Sequence, residues 1–398
     1  MEKENKIMLY PHQQESLLVT KTKNRVAYYL DMGLGKTFVA SEKAKELTKP
    51  VLVVCQKSKM KDWKNHFQKH YDLPVTVINY DLVWRRKEYL GWTEFTLILD
   101  ESSLIKNPTA KRTKCIFQLK PANVILLSGT PTGGKYEELW TQCRLLGWNI
   151  SKKLFYDQYI ITRKIDVGGF PITKVIGYKH VDRLKRKLRE YGAVFMKTKE
   201  VFDLPEQIEI IVSVKSSKEY REFKRDRYVN LSGNEIVGDT SLKQLLYLRQ
   251  LCGQFSKDKI SALKDLMDST SDRLIIFYNF TAEFELIQSL TDRPISFING
   301  AGTELANYEA YPDSVTCVQY QAGAMGHNLE KSNQVVYFTL PLSSDFFEQS
   351  KKRIHRIGQT KTCFYYYLLT KQSVEEKILE TLQQRKDFTD ALFKEAGG

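Results

Sequence analysis

The chain has 398 residues, 42% of them hydrophobic and 27% charged. That mix belongs to a globular protein of two or three domains and excludes a disordered chain, a collagen-like fibre and a disulfide-stapled miniprotein. Lys and Arg total 61 against 47 Asp and Glu, a formal net charge of +14. A basic excess spread over a folded chain favours a polyanionic partner, nucleic acid before membrane, with solubility alone as the plainer explanation. The six cysteines (Cys55, Cys115, Cys143, Cys252, Cys317 and Cys363) form no CxxC pair and sit mostly in apolar runs such as VLVVCQ. They read as buried thiols of a reducing compartment, neither disulfides nor a zinc site. MEKENKIMLY is too polar for a signal peptide, and no run approaches the ~18 apolar residues of a membrane-crossing helix. A soluble, cytoplasmic protein with no membrane partner is expected.

In chain order, the first half alternates β-branched runs with helical patterns. Strands are predicted at Arg25–Leu30, Val51–Cys55, Val75–Asn79, Phe95–Leu99 and Asn123–Leu127, with helices such as Thr37–Leu47 and Lys59–His70 between them. This alternation predicts a parallel sheet covered on both faces. Residues 151–180 read as a hairpin, YIITRKI and ITKVIGY about a Val167–Phe170 turn, and a basic helix follows at Val181–Tyr191. A linker-like strand lies around Leu204–Val214. The last third alternates again, with strands predicted at Arg273–Phe277, Ile295–Ile298, Val315–Gln319, Val335–Thr339 and Phe364–Leu368, and a final helix at Ser373–Phe393. The expected architecture is α/β: a first lobe over 1–150, an insert and linker over 151–240, and a second lobe over 241–398.

Four blocks carry chemistry. DMGLGKT, Asp31–Thr37, follows a strand and opens a helix, as a P-loop does, although Leu30 stands where the usual pattern has its first glycine. Met32, Gly33, Leu34 and Gly35 would turn backbone amides toward phosphate oxygens at a helix N-terminus. Lys36 would reach the β/γ-phosphates and Thr37 would ligate Mg²⁺. A glycine turn ahead of a surface helix is the competing explanation, and GKT in this setting weighs against it. Next, Asp100–Glu101 end an apolar strand, where two acids are costly unless a cation or water uses them. Asp100 suits the Mg²⁺ shell and Glu101 suits the attacking water. Third, LLSGTPTGG ends another strand with hydroxyls at the same sheet edge. Last, Gln349–Gln359, QSKKRIHRIGQ, puts Arg353 and Arg356 three residues apart, one helical turn, so that both would share a face. Alone this is a solvated basic helix; opposite a P-loop lobe it becomes an arginine-finger candidate. His66 and His70 share a helix face without a third ligand nearby, which reads as a surface pair.

These blocks in this order resemble the Swi/Snf-like branch of the superfamily 2 helicase-type ATPases. The resemblance rests on LYPHQQESL, DMGLGKT, VLVVCQKSKMKDW, INYD, LILDESSLIKN, LLSGTPTGGKYEELW, FMKTKEVFDLP, IIFYNF, AGAMGHNLEKSNQVVYF, QSKKRIHRIGQTK and SVEEKILE, and spans nearly the whole chain. It implies two RecA-like parallel-sheet lobes, with a small helical and hairpin insert between them, and ATP with Mg²⁺ bound between the lobes. By the resemblance, Gln13 reads adenine, and Ser128 and Thr130 couple the ATP state to nucleic acid. Gly326 and Gln349 join the nucleotide site, and Arg353 and Arg356 are the fingers. Several positions depart from the family. Asp100–Ser103 reads DESS where DEAH is usual, which puts Ser103 at a coupling histidine. His327 replaces a leucine, and TLPLSSDFFE lacks the common DPDWNP.

The implied activity is an ATP-driven translocase on nucleic acid, double-stranded DNA before RNA. It would act as a monomer, a near-minimal motor targeted by a protein partner. A strand-separating helicase and an ATP-gated clamp without turnover are the alternatives. The Ile160–Tyr178 hairpin is the one candidate wedge, and the loops at Lys57–Lys61 and Lys106–Lys111 are candidate backbone contacts.

Overall fold

The structure, a computed structural model, describes residues 7–167, 170–231, 234–323 and 327–393. The chain forms two compact units, Met1–Phe202 with Asp387–Gly398 and Asp203–Lys386. Each is built on its own sheet.

The first sheet contains β1 (Arg25–Leu30), β2 (Val51–Cys55), β3 (Val75–Asn79), β4 (Thr96–Leu99) and β5 (Asn123–Leu127). A separate antiparallel hairpin, β6 (Ile160–Val167) with β7 (Phe170–Tyr178), comes next in the chain, and then β8 (Ala193–Met196). The sheet order is β3-β2-β4-β5-β1-β8, and every neighbouring pair is parallel. Helices on both faces explain why VLVVC and NVILL are apolar or buried without alternation. The helix Lys36–Leu47 starts from a left-handed Gly35 and ends at a left-handed Thr48, two residues before Pro50. Its Lys43 is fully buried and donates to the Thr20 and Lys21 carbonyls, which close the helix Pro11–Val19. A cation on the last carbonyls of a helix satisfies orphan acceptors and the dipole together.

The second unit begins with β9 (Gln207–Val214) and a small antiparallel pair, β10 (Tyr228–Leu231) with β11 (Asn234–Val237). Its main strands are β12 (Leu274–Tyr278), β13 (Ile295–Asn299), β14 (Gly302–Glu304), β15 (Val315–Gln319), β16 (Gln334–Tyr337) and β17 (Cys363–Thr370). The order is β14-β13-β15-β12-β16-β17-β9, parallel except where β14 folds back on β13. Its core is rich in tyrosine: Tyr337 stacks on Tyr367 with ring centroids 4.9 Å apart and on Phe277 at 5.7 Å.

β8, β10, β11 and β14 lie where the sequence reading has no strand, and the linker-like strand is present as β9. AVFM becomes β8, paired with β1 from Ala27↔Ala193 to Leu30↔Met196. The linker-like stretch becomes β9, paired with β17 over eight residues. AVFM is a short apolar run without alternation, which periodicity does not assign to strand or helix, and β9 alternates exposed and half-buried residues because it is a sheet edge. The stretch 151–240 thus supplies one strand to each sheet besides its two hairpins. The Val167–Phe170 turn includes residues 168 and 169, outside the described residues. The first sheet is parallel throughout and the second is parallel apart from β14, so each unit is an α/β fold built on a parallel sheet. All six cysteines are buried and none is in a disulfide. Among the described residues no helix is long and apolar enough to cross a membrane.

Candidate nucleotide site

Three of the four chemical blocks leave the carboxyl ends of neighbouring strands: DMGLGKT after β1, DESS after β4 and SGTPTGG after β5, with sheet order β4-β5-β1. In an open parallel sheet this edge, near the point where strand order reverses, is where ligands bind.

Gly33 and Gly35 adopt φ of +88° and +73°, a region that costs other residues strain. A Cβ on Gly35 would also lie 2.2 Å from Gln13 Nε2 and would push that amide from its place behind the loop. Gln13 is buried behind the loop. Its Nε2 donates to the Leu34 carbonyl at 3.1 Å, and its Oε1 accepts the Tyr10 N–H at 3.0 Å. His12 Nε2 lies 3.1 Å from the same Leu34 oxygen. Lys36, half-buried at the helix start, donates to the carbonyls of Leu30 (2.9 Å) and Asp31 (3.2 Å). Thr37 is half-buried in the first helical turn, and Met32 beside it is half-buried too. The loop is braced from a distant block. Asp31 N–H donates to the Met196 carbonyl, and Thr198 Oγ1 donates to Met32 O at 3.2 Å and contacts the Asp31 carboxylate.

Asp100 sits at the end of β4. Trp63 Nε1 donates to its Oδ2 at 2.8 Å, and Tyr80 OH donates to its backbone carbonyl at 2.9 Å. Burial raises the Asp100 carboxyl above the usual range, opposed by the Trp63 bond and by the Lys36 and Lys59 charges. A carboxyl held up in this way is one that a cation would return to its ionised form. Glu101 follows with φ +53°, ψ +58°, a left-handed backbone on a residue that is not glycine. Conformations of this kind cluster where geometry is over-determined by neighbours, and here the neighbour is Ser102. Its Oγ donates to Gln142 Oε1 at 2.8 Å, both residues fully buried. Tyr29 OH donates to the same Oε1 at 2.9 Å, and Gln142 Nε2 donates to the Pro131 carbonyl at 2.7 Å.

The third loop is drawn in beside the P-loop: a Cβ on Gly129 would lie 3.5 Å from Lys36 Nζ. Ser128 Oγ accepts the Thr130 N–H at 3.1 Å, and Thr130 Oγ1 is buried with no partner among the described residues. The donor set fits a nucleotide with a divalent cation: two positive-φ glycines, a lysine, a hydroxyl and a desolvated carboxyl converge on one sheet edge.

The second unit holds the remaining predicted residues. Gln349 is half-buried on the helix Ser344–Lys351. That helix stops before the arginines, so Arg353 and Arg356 stand in a turn and do not share a helix face. The cause is competition for backbone: the Arg353 carbonyl accepts the Leu329 N–H, and Gln359 clamps the turn. Gln359 Nε2 donates to the carbonyls of Ser332 (2.8 Å) and Glu330 (3.1 Å). Arg353 is 1% exposed and its Nη1 donates to the His327 carbonyl at 3.4 Å. Arg356 is half-buried, with its pKa lowered by burial against the pull of Glu330. Gly326 lies outside the described residues.

Sequence reasoning missed the residues that hold these groups in place: Trp63, Tyr80, Gln142, Thr198 and Gln359. His66, expected at the surface, packs edge-on against Phe38 at 4.8 Å and lies 3.2 Å from Ser41 Oγ. Of the candidate backbone contacts, Lys59 pairs with Asp62 and Lys106 with Glu138.

The SNF2-related domain is the family whose sequence model matches, over residues 72–257. A Bacillus subtilis protein named as an ATP-dependent helicase/translocase is 24% identical over 92% of this chain and 46% of its own. The Arabidopsis thaliana protein CHROMATIN REMODELING 24 is 26% identical over 98% of this chain and 46% of its own. A SWI/SNF-related chromatin regulator homologue of Caenorhabditis elegans is 23% identical over 95% and 61%. The solved SWI2/SNF2 ATPase core of Sulfolobus solfataricus in complex with double-stranded DNA covers 100% of this chain and 96% of its own, at 20% identity and a TM-score of 0.45. The chain spans about half the length of the curated relatives it matches. Residues 72–257 match an SNF2-related domain, and the resemblance of the chain to the Swi/Snf-like helicase-type ATPases, read first from its motifs, is borne out.

Proposed function

We propose that the chain is an ATP-driven translocase on double-stranded DNA. The observation that carries this reading is the convergence of the DMGLGKT, DESS and SGTPTGG loops at the carboxyl ends of β1, β4 and β5, with Lys36 beside Gly129 and within electrostatic reach of Asp100. The names of the relatives, an ATP-dependent helicase/translocase and chromatin-remodelling proteins, support the substrate class.

Bound ATP would supply the phosphoryl group, and Mg²⁺ the charge that neutralises it. Gly33 and Gly35 open the loop so that backbone amides face phosphate oxygens. Lys36 exchanges its contacts with the Leu30 and Asp31 carbonyls for phosphate. The Thr37 hydroxyl and the Asp100 carboxylate would hold the metal. Glu101 accepts the proton of the attacking water at its carboxylate. Gln13, with one amide hydrogen on Leu34 and one lone pair on Tyr10, retains a donor and an acceptor, the pair that an adenine edge presents in complement. Arg353 and Arg356 are the proposed guanidinium groups that counter charge on the transferred phosphoryl. Ser128 and Thr130 couple that state to the grip on DNA.

The second reading, strand separation, draws on the β6–β7 hairpin. It is a two-stranded sheet of its own that exposes Ile172 and Ile176, with Arg163 directly opposite Lys174. ATP turnover measured with no nucleic acid, double-stranded DNA, single-stranded DNA and RNA distinguishes the two, with salt titrated because backbone binding is salt-sensitive. Stimulation by duplex DNA is expected. Stimulation by single strands or RNA alone, with unwinding of a tailed duplex, would replace translocase with helicase. No turnover under any condition would overturn both.

A further inference from the structure

The acid box of this chain has a serine, Ser103, where the family's coupling histidine stands, yet the box is physically tied to the SGTP loop by another route. Gln142, on the helix Trp140–Leu145, is fully buried and has hydrogen bonds in three directions. Its Oε1 accepts from Ser102 Oγ (2.8 Å) in the acid box and from Tyr29 OH (2.9 Å) on β1; its Nε2 donates to Pro131 O (2.7 Å) in the SGTP loop. The amide has one way round: reversed, its oxygen would face the Pro131 carbonyl oxygen. Both Oε1 lone pairs are filled, and burial keeps Tyr29 a neutral donor by raising its pKa well above the ordinary value.

The two ends of this bridge are informative. Ser102 directly follows Glu101, whose left-handed backbone needs a neighbour to hold it. Pro131 directly follows Thr130, whose hydroxyl is buried without a partner among the described residues. We propose that Gln142 is a positioning residue that transmits between the Ser128–Pro131 loop and Glu101, in place of a direct contact by residue 103. The inference rests on the ATPase reading for its catalytic consequence but on the hydrogen bonds alone for the link itself.

The test compares wild type with Gln142→Leu and with the smaller Ser102→Ala, which removes one donor and little volume. Two readouts are followed: amide hydrogen exchange, and ATP hydrolysis with and without duplex DNA. Exchange is expected to quicken in residues 101–105 and in residues 130–134 together, even in Ser102→Ala, where only the first segment carries the change. The ratio of stimulated to basal turnover is expected to fall by roughly 10-fold, the scale of a lost positioning contact, with the KM for ATP unchanged. A purely structural role would lower the melting temperature without moving that ratio. If Ser102→Ala quickens exchange in 101–105 only and both variants keep the wild-type ratio, the bridge carries nothing and the proposal is overturned. A wild type that no nucleic acid stimulates would defeat the translocase reading instead, and the linked exchange would still decide the bridge.

Discussion

The P-loop edge of the first sheet and the RIHRIGQ turn of the second unit are built in opposite ways. At the first, Lys36, Thr37, Asp100 and Glu101 stand at strand ends or in the first helical turn, half-buried, and buried or partly buried neighbours hold this edge from behind: Gln13 and Thr198 on the loop, Trp63 on Asp100, Gln142 on Ser102. At the second, the arginines are themselves part of the packing. Arg353 is 1% exposed and its carbonyl anchors Leu329, while Gln359 fixes the turn through five contacts with neighbouring backbone. Regular structure lets a motif be read from spacing. An irregular turn hides which of two similar residues faces outward.

The contrast sharpens into predictions. The largest effect is expected at Lys36 and Arg356. Lys36→Ala and Arg356→Ala should each cost at least about 10²–10³-fold in ATP turnover, the scale of lost charge stabilisation, with melting temperatures near wild type. Arg353→Ala should lose turnover as well and, in addition, lower stability on the order of 3 kcal/mol, because it leaves a cavity and breaks the bond to the His327 carbonyl in the second unit. Equal thermal stability of the two arginine variants would erase the difference argued between them.

A smaller effect is expected behind Asp100. Trp63→Phe keeps the ring and removes the indole donor. The carboxyl then loses a bond that favours its ionised form, so its pKa rises further and the acid limb of the pH–rate profile moves to higher pH. Apparent Mg²⁺ affinity should weaken roughly 10-fold, as for other residues that orient a metal ligand. An unshifted limb would mean that the indole only packs.

The smallest effect concerns stability rather than chemistry. Burial, with help from the His70 charge, lowers the His66 pKa to about 4. The unfolded chain therefore takes up a proton near the ordinary histidine value while the folded one does not. The sign follows: His66 is neutral in both states well above pH 6.5, and stability is lost as pH falls from there toward 4. Solvent screening of the partly exposed ring holds the loss to about 1–2 kcal/mol. His66→Gln should flatten that part of the stability–pH curve in urea titrations. A curve as steep as wild type would assign the loss to other groups.

How much of this was legible in the sequence follows from distance along the chain. Gly33, Gly35 and Lys36 lie within four positions, and their chemistry needs only local backbone. Asp100 and Glu101 announce themselves by ending an apolar strand. The residues that hold them do not, because Trp63 is 37 positions from Asp100, Gln142 is 40 from Ser102 and Thr198 is 167 from Asp31. Only the sheet order brings them together. The strands themselves were mostly legible, since fully buried parallel strands are apolar throughout. β8 was not, because AVFM is a short apolar run that periodicity alone does not assign to strand or helix. The helical spacing of Arg353 and Arg356 misled because the helix ends at Lys351 and the Arg353 carbonyl bonds the distant Leu329 N–H instead of the next helical turn.

The central claim is movement along duplex DNA driven by ATP. Displacement of a third strand from a triplex tests it most directly, because a translocating protein strips that strand without opening the duplex beneath. The account predicts ATP-dependent displacement by wild type, none by Lys36→Ala or Glu101→Gln, and an intact duplex at the end. Duplex-stimulated hydrolysis without displacement, or displacement that persists in Glu101→Gln, would contradict it.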